Sequence, residues 1–354
     1  MTRAVAAAAL LVAVLAVAAA RPSGSGPTRL EHIFVIMLEN HSDESVVGDV
    51  NAPFITRLAR RYGHAARYYG VTHTSLPNYI ALTSGSNWWV NDDAPSHRFP
   101  HRNLIDQLEA KHLSWVAYME SMPKTGYLGP YYPSHKVSVY VARHNPFILY
   151  PRIRKHRERR SHIKPYTFFA ADMRKETVPN LVWISPNICH DMHGGVTVRY
   201  RKGDGSPCPS GYDNPADASL KRKADAFVKA AVRTIMRSPA WSEPSAIFIL
   251  SDETTETGRA STGGYKDATG CCDSPYFAGK AVLSSGLVWN GGMYGGGSAV
   301  GVIVSNVGKR HFVSKRAFNH YSTLATIEKN WDLGYLAYAA DRAQVPALDV
   351  FLTP

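Results

Sequence analysis

Three apolar runs in this chain stop on ligand-type side chains, and no other feature restricts the fold as tightly. They are Ile33-Phe34-Val35-Ile36-Met37-Leu38 before Glu39-Asn40, Leu181-Val182-Trp183-Ile184-Ser185 before Pro186-Asn187-Ile188-Cys189-His190-Asp191-Met192-His193, and Ala246-Ile247-Phe248-Ile249-Leu250-Ser251 before Asp252-Glu253. Near-continuous Val/Ile/Leu content predicts strands buried on both faces, hence mainly parallel pairing. A buried strand has no reason to end on carboxylates, because unpaired buried charge is expensive unless a metal or partner meets it. Open α/β sheets bind ligands beyond the carboxyl ends of their strands. Repeated three times, the pattern leads us to expect a metal-dependent hydrolase.

Further strands are expected at Trp115–Met119 and Ala299–Ser305, and helices at Ala52–Tyr62, Leu104–Lys111, Ala216–Arg237 and Ser322–Trp331. Their alternation predicts an α/β fold with a mainly parallel central sheet and helices on both faces. Two irregular regions interrupt it. Met122–Lys164 reads as a long excursion over the active-site edge, and Thr254–Gly297 as a Gly-rich functional loop. No internal repeat or linker divides residues 31–354, so one catalytic domain is expected there. Residues 1–20 carry a basic start, an Ala/Val/Leu run and an Ala-Ala-Ala end, the pattern of a secretory signal peptide rather than a retained anchor; residues 21–30 read as a flexible mature N-terminus.

Export permits disulfides. Among Cys189, Cys208, Cys271 and Cys272 three pairings are open. Cys189–Cys208 is preferred, leaving Cys271-Cys272 as an adjacent bridge, with cross-linking of the two pairs as the alternative. The formal net charge of +12 favours anionic partners. Much of it sits in Arg152–Lys164, which is read as a solvated surface able to touch anionic surfaces, without the interleaved aromatics of specific nucleic-acid binding.

A fourth segment runs Thr72-His73-Thr74-Ser75-Leu76-Pro77-Asn78-Tyr79. Ser75 lies at the expected start of a helix, where the macrodipole favours an oxyanion or a phosphate. It is either a nucleophile, activated by a metal in the absence of an obvious His/Asp partner, or simply an N-cap.

These four segments, with Phe318-Asn319-His320-Tyr321-Ser322 and in this order, resemble the phosphoesterase family of secreted acid phosphatases and phosphatidylcholine-type phospholipases C, within the alkaline phosphatase superfamily. The resemblance implies an alkaline-phosphatase-like fold and a phosphoserine intermediate on Ser75. It implies Glu39, Asn40, Asp252 and Glu253 as ligands of one divalent metal ion of open identity, with a second metal site open. Asp191, His193 and His320 fall where second-metal ligands sit. They can instead hold phosphate or protonate the leaving group, so His193 and His320 are expected as catalytic and Asp191, Asn78 and His144 as substrate-binding. Two departures stand out. Thr254-Thr255-Glu256 replaces a frequent Gly after the acidic pair, making Glu256 a substitute ligand or a solvated side chain, and His73-Thr74-Ser75 replaces His-Pro-Ser. His41, His73 and His190 are read as structural.

The expected protein is a secreted acid phosphatase acting on a phosphorylated small molecule. A phospholipase C is the alternative; such relatives carry extra C-terminal domains, and this sequence ends at Pro354. A non-catalytic surface-binding protein is the second alternative, disfavoured because Glu39, Asn40, Ser75, Asp252 and Glu253 are all present.

Overall fold

The structure, a computed structural model, describes residues 26–195, 208, 216–254, 267–282 and 288–354. The expected signal peptide and Glu256 lie outside the described residues. Eight of the described strands form one sheet: β1 (His32–Leu38), β2 (Gly63–Ala65), β3 (Trp115–Met119), β4 (Ile163–Pro165), β5 (Leu181–Ser185), β6 (Ser245–Ser251), β7 (Gly301–Ser305) and β8 (Phe312–Ser314). Their spatial order is β8-β2-β7-β6-β1-β5-β3-β4. From β4 through β6 every pairing is parallel. The run expected at Ala299–Ser305 yields β7, which is antiparallel to both β6 and β2. Apolar content reports burial on both faces and says nothing about direction, so the sequence pattern could not separate β7 from its neighbours.

Side chains alternate across a strand, and β1 divides its residues between two cores. Ile33, Val35 and Met37 pack with Trp183 and Phe248 beneath α2 (Ser75–Ser84), α3 (Leu104–Ala110) and α5 (His320–Asn330). Phe34, Ile36 and Leu38 pack with Ile184 and Ile249 against α1 (Pro53–Arg61) and α4 (Ala216–Met236). The result is the expected three layers. Burying one such aliphatic or aromatic side chain contributes about 1.5–3 kcal/mol, and both faces of the strand collect it.

Register decides where the strands stop. Leu38 is opposite Ser251 across the β1–β6 pair, and Asp252 N donates to Leu38 O at 3.1 Å. Glu39-Asn40 and Asp252-Glu253 therefore leave the sheet side by side. Glu39 N donates to Asp191 O at 2.7 Å, which brings in the segment after β5.

Helix α2 is buried at all ten positions. Thr74 is its N-cap and makes no side-chain cap bond. The cap comes from Asp93, whose Oδ1 accepts from Leu76 N and Thr74 Oγ1, each at 2.9 Å. A carboxylate at a helix N-terminus also complements the macrodipole. The helix ends at Gly85, which is left-handed (φ 78°) and where a Cβ would lie 2.2 Å from Leu336 O.

The excursion at 122–164 covers the active-site edge only in part. Its Tyr140–His144 stretch reaches the site, whereas Arg157–Ser161 leads into β4 at the opposite, amino end of the sheet. There Arg159 pairs with Asp106 at 2.8 Å and Glu109 at 2.6 Å of α3. Cys189 is bonded to Cys208 and Cys271 to Cys272, as preferred.

Glu328 of α5 is fully buried and accepts from Leu336 N at 2.9 Å. Burial pushes its carboxyl up to about 8. A folded-state pKa raised above the unfolded value gives stability that is present below the unfolded pKa and lost as pH rises through the folded one. Glu328→Gln should therefore melt several degrees above the wild type at pH 9 and level with it at pH 4, by thermal unfolding. Equal shifts at both pH values would remove the titration argument.

Candidate active site

Glu39 is the hub of the carboxyl edge. It is fully buried. Its Oε2 accepts from Ser75 Oγ at 2.8 Å, and its Oε1 accepts from Tyr79 OH at 2.6 Å. Ser75 and Tyr79 are one helical turn apart on α2, so both hydroxyls face the same side. Ser75 is the first helical residue rather than the N-cap, and its Oγ also lies 3.4 Å from Glu253 Oε1. Asp252 Oδ1 accepts from Asn40 N at 2.9 Å and from Glu253 N at 2.7 Å. Asn40 takes a left-handed conformation (φ 46°), which Asn tolerates better than most residues. Glu39, Asn40, Ser75, Asp252 and Glu253 thus form one cluster.

His144 stacks on Tyr79 with its ring planes 2° apart and 5.4 Å between centroids. Its Nε2 lies 3.1 Å from Glu39 Oε1 and its Nδ1 3.1 Å from Asp191 Oδ2. Both are close approaches without hydrogen-bond geometry, since neither His144 Nε2 nor Asp191 Oδ2 has a hydrogen-bond partner among the described residues. Burial, then the nearby Arg143 charge, holds His144 well below the usual histidine range. Asp191 Oδ1 accepts from His193 N at 2.7 Å. His193 Nδ1 faces Gly194 O at 3.2 Å, which leaves Nε2 to accept from Arg143 Nη2 at 3.1 Å. Burial, followed by Arg143, pushes His193 down to about 3.

Two expected site residues turn their polar atoms elsewhere. Asn78 uses its whole amide on the preceding turn: Oδ1 accepts from Val71 N (2.8 Å) and Thr72 N (3.2 Å), and Nδ2 donates to Thr72 O (2.6 Å) and Thr74 O (2.9 Å). His320 lies behind Asp252, not across the site from it. Its Nε2 donates to Asp252 O at 2.5 Å and its Nδ1 accepts from Tyr68 OH at 3.0 Å. Both are fully buried. In each case the motif is in place but the side chain steadies backbone. His73, read as structural, meets Glu253 Oε2 through Nδ1 and Asp267 O through Nε2, the latter at 3.0 Å.

The carboxylates of the cluster are crowded and buried. Burial pushes Glu39 and Asp191 well above the carboxylate range, and for Glu39 the Asp252 and Asp191 charges add to it. Burial raises Asp252 to about 6. Asp252 Oδ2 is buried with no hydrogen bond made to it among the described residues. Among those residues no three His, Cys, Asp or Glu side chains stand as a ready-made metal cage. The donor chemistry nonetheless fits one: carboxylates and an amide make an oxygen-only set that suits a hard divalent ion.

Tyr79 and Asp93 were not foreseen. The only signal for Tyr79 was its spacing of four from Ser75, and Asp93 lies in a loop without periodicity. Arg143 was visible only as the neighbour of His144.

Comparison with known proteins follows the same outline. Residues 50–203 match the model of the phosphoesterase family. That span holds Ser75, Arg143, His144, Asp191 and His193, whereas Glu39, Asn40, Asp252, Glu253 and His320 lie outside it. The chain is similar to the phosphate-repressible acid phosphatase of Penicillium chrysogenum, 33% identical over 165 residues, which cover 46% of this chain and 39% of that one. It is also similar to a probable acid phosphatase of Kluyveromyces lactis, 31% identical over 176 residues, covering 48% and 40% respectively. The chain therefore spans about two fifths of these relatives' length. In fold it resembles the phosphonate monoester hydrolase of Agrobacterium radiobacter, with a TM-score of 0.52, 13% identity, and coverage of 91% of this chain and 77% of that one. The expected α/β architecture, a mainly parallel sheet with helices on both faces, is thus the one observed, and that hydrolase shares it.

If Asn78 is a staple of the turn, Asn78→Ala should cost about 1–3 kcal/mol of stability, read by denaturant titration, and lower activity with it. A variant of unchanged stability whose substrate affinity alone collapsed would return Asn78 to the substrate.

Proposed function

We propose, on the premise that residues 50–203 tie this chain to the phosphoesterase family, that it is an exported, divalent-metal-dependent phosphomonoesterase of the acid phosphatase type with Ser75 as nucleophile. The observation that carries this reading is the Ser75 hydroxyl at the start of a buried helix, donating to Glu39 at 2.8 Å and 3.4 Å from Glu253. Glu39, Asn40, Asp252 and Glu253 would hold the cation, which when bound supplies the positive charge that favours the Ser75 alkoxide and tempers the carboxylates.

Glu39 orients the Ser75 Oγ–H and is itself oriented by Tyr79. The Ser75 oxygen gives up its proton to solvent and attacks phosphorus, the P–O bond to the leaving group breaks with that oxygen taking a proton from water, and the α2 N-terminus faces the new phosphoserine. Water then cleaves the Ser75–phosphorus bond and releases inorganic phosphate. Proton donation by His193 or His320 finds little support. The first accepts a bond from Arg143 and the second is committed to Asp252 O, and burial pushes both below the usual histidine range. His144 and Asp191 form the wall beside Glu39.

The named relatives are phosphatases, which favours this reading over phospholipase C. Export is supported by the Cys189–Cys208 bridge, and no helix among the described residues is long and apolar enough to cross a membrane. Contact with anionic surfaces would fall to Arg157, Arg160 and Lys124, which line one surface cleft with Thr125, Gly126 and Ser161.

The test is hydrolysis of p-nitrophenyl phosphate, bis-p-nitrophenyl phosphate and phosphatidylcholine with and without chelator. The monoester should be preferred, chelator should abolish turnover, and a divalent ion should restore it. Ser75→Ala should lower kcat by about 1,000-fold or more with the fold intact. Turnover near wild type in that variant would move the nucleophile elsewhere, with Thr74 the first suspect.

A further inference from the structure

The cations at the amino end of the sheet are not balanced. Residues 152–164 carry seven lysines and arginines against one acid, Glu158. Two of the seven are neutralised: Arg159 by Asp106 and Glu109 of α3, and Lys164 by Asp172 at 2.9 Å. Arg152, Arg154, Lys155, Arg157 and Arg160 meet no carboxylate among the described residues, and neither do Lys124 and Arg98. Arg98 and Arg160 stand close enough to Arg154 that their charges, after its own burial, make it less basic. Like charges within a Debye length of about 8 Å repel, and a surface needed only for solubility interleaves the two signs.

These cations are also held in a shape. A turn, Lys124-Thr125-Gly126, faces the short helix Arg157–Ser161. Gly126 is left-handed (φ 65°), its N donates to Ile163 O at 2.9 Å, and a Cβ there would lie 3.0 Å from Arg160 Cβ. Arg160 Nη1 donates to Arg154 O at 2.5 Å, which ties the helix to the stretch before it. The two walls enclose a cleft of about 430 Å³. A second cleft of about 450 Å³ holds Lys155, His156 and His162, with Glu158 and the Arg159-paired Glu109 as its acids. Arg157 lines both, so the two form one groove.

The lining selects the occupant. No apolar side chain borders either cleft, whereas a protein laid on a bilayer adds apolar burial to its basic residues. Nucleic acid would leave its bases without a platform, because the two imidazoles are the only rings in the groove and His162 is already stacked on Trp115 at 5.0 Å. A bare phosphate chain asks only for charge and for forked donors in series. The crowding of Arg98, Arg154 and Arg160 matches the chain with one anion on each successive phosphorus.

We propose that this groove anchors the protein to inorganic polyphosphate, with Lys124, Lys155, Arg157 and Arg160 as the contacts, at the end of the sheet away from Ser75. The anchor goes beyond the phosphomonoesterase reading and does not depend on it. No bond is made or broken in the groove.

The test is binding of inorganic polyphosphate to the purified full chain, measured by calorimetry at physiological ionic strength. Oligo-deoxythymidylate of equal charge and phosphatidylglycerol vesicles serve as rival ligands. Wild type is compared with Lys155→Glu/Arg157→Glu and with Arg233→Glu/Arg237→Glu, which makes the same change of net charge at exposed positions around the end of α4. Polyphosphate should bind the wild type more tightly than either rival does. The groove variant should bind it about tenfold or more weakly, with a shallower salt dependence because fewer phosphates are neutralised. The α4 variant should stay within about twofold of wild type, since distant charges are screened. Turnover of p-nitrophenyl phosphate should be the same in all three proteins. Equal losses in the two variants would reduce the groove to a share of a general positive field and overturn the inference. Unchanged affinity in the groove variant would place the polymer elsewhere, and a rival bound as tightly as polyphosphate would give the groove a different partner; either result overturns it. A wild type that binds polyphosphate through the groove yet hydrolyses no ester would refute the phosphomonoesterase reading and uphold the anchor.

Discussion

The parallel pairing of β1 with β6 governs everything at the carboxyl edge. Seven consecutive residue pairs, from His32↔Ser245 to Leu38↔Ser251, keep the strands in step, and both strands are buried along their length. In parallel pairing the register is held by side-chain packing on two faces, so a slip of one residue would exchange the two cores. Because that slip is forbidden, the residues after Leu38 and Ser251 have no freedom over where they emerge. Four ligand-type residues leave the sheet at one point, and three of them carry charge that the fold alone would prefer to avoid.

Around that point the structure spends its polar side chains on backbone. Asn78 holds the turn before the nucleophile, His320 holds the Asp252 carbonyl, and Asp93 caps the nucleophile's helix. Tyr68 continues the chain by donating to His320, with Thr323 2.7 Å from its hydroxyl. Such groups determine how far Ser75 and the carboxylates can drift. Positioning to a few tenths of an ångström is where much of the rate enhancement of a preorganised site arises.

The strand ends were legible because a period-free apolar run that stops on carboxylates has few alternatives. Glu39, Asn40, Asp252 and Glu253 were therefore visible as strand ends, whereas their grouping with Ser75 came from the resemblance to the phosphoesterase family. Which way a polar side chain turns was not legible. Asn78 and His320 lie in the right motifs, yet the amide nitrogen of Asn78 and Nε2 of His320 donate to backbone carbonyls, and Nδ1 of His320 meets the Tyr68 hydroxyl. Asp93 and Arg143 lie 18 and 68 positions from Ser75 in number, and a loop without periodicity offers no pattern that would join them. The direction of β7 was hidden for a related reason: burial on two faces is the same for either orientation.

Helix α2 has no solvent face, since each of its ten residues is buried. The longer α4, with one apolar side, leaves Arg222, Arg233 and others outward, where exchange of one polar residue for another changes little. In α2 every replacement meets packed neighbours, including those at positions with no chemical task. Random variation would thus be filtered by packing throughout 75–84 before it is filtered by activity. The stretch carrying the nucleophile should change slowly over evolutionary time for mechanical reasons, and a library randomised there should lose expression at positions remote from Ser75 as readily as beside it.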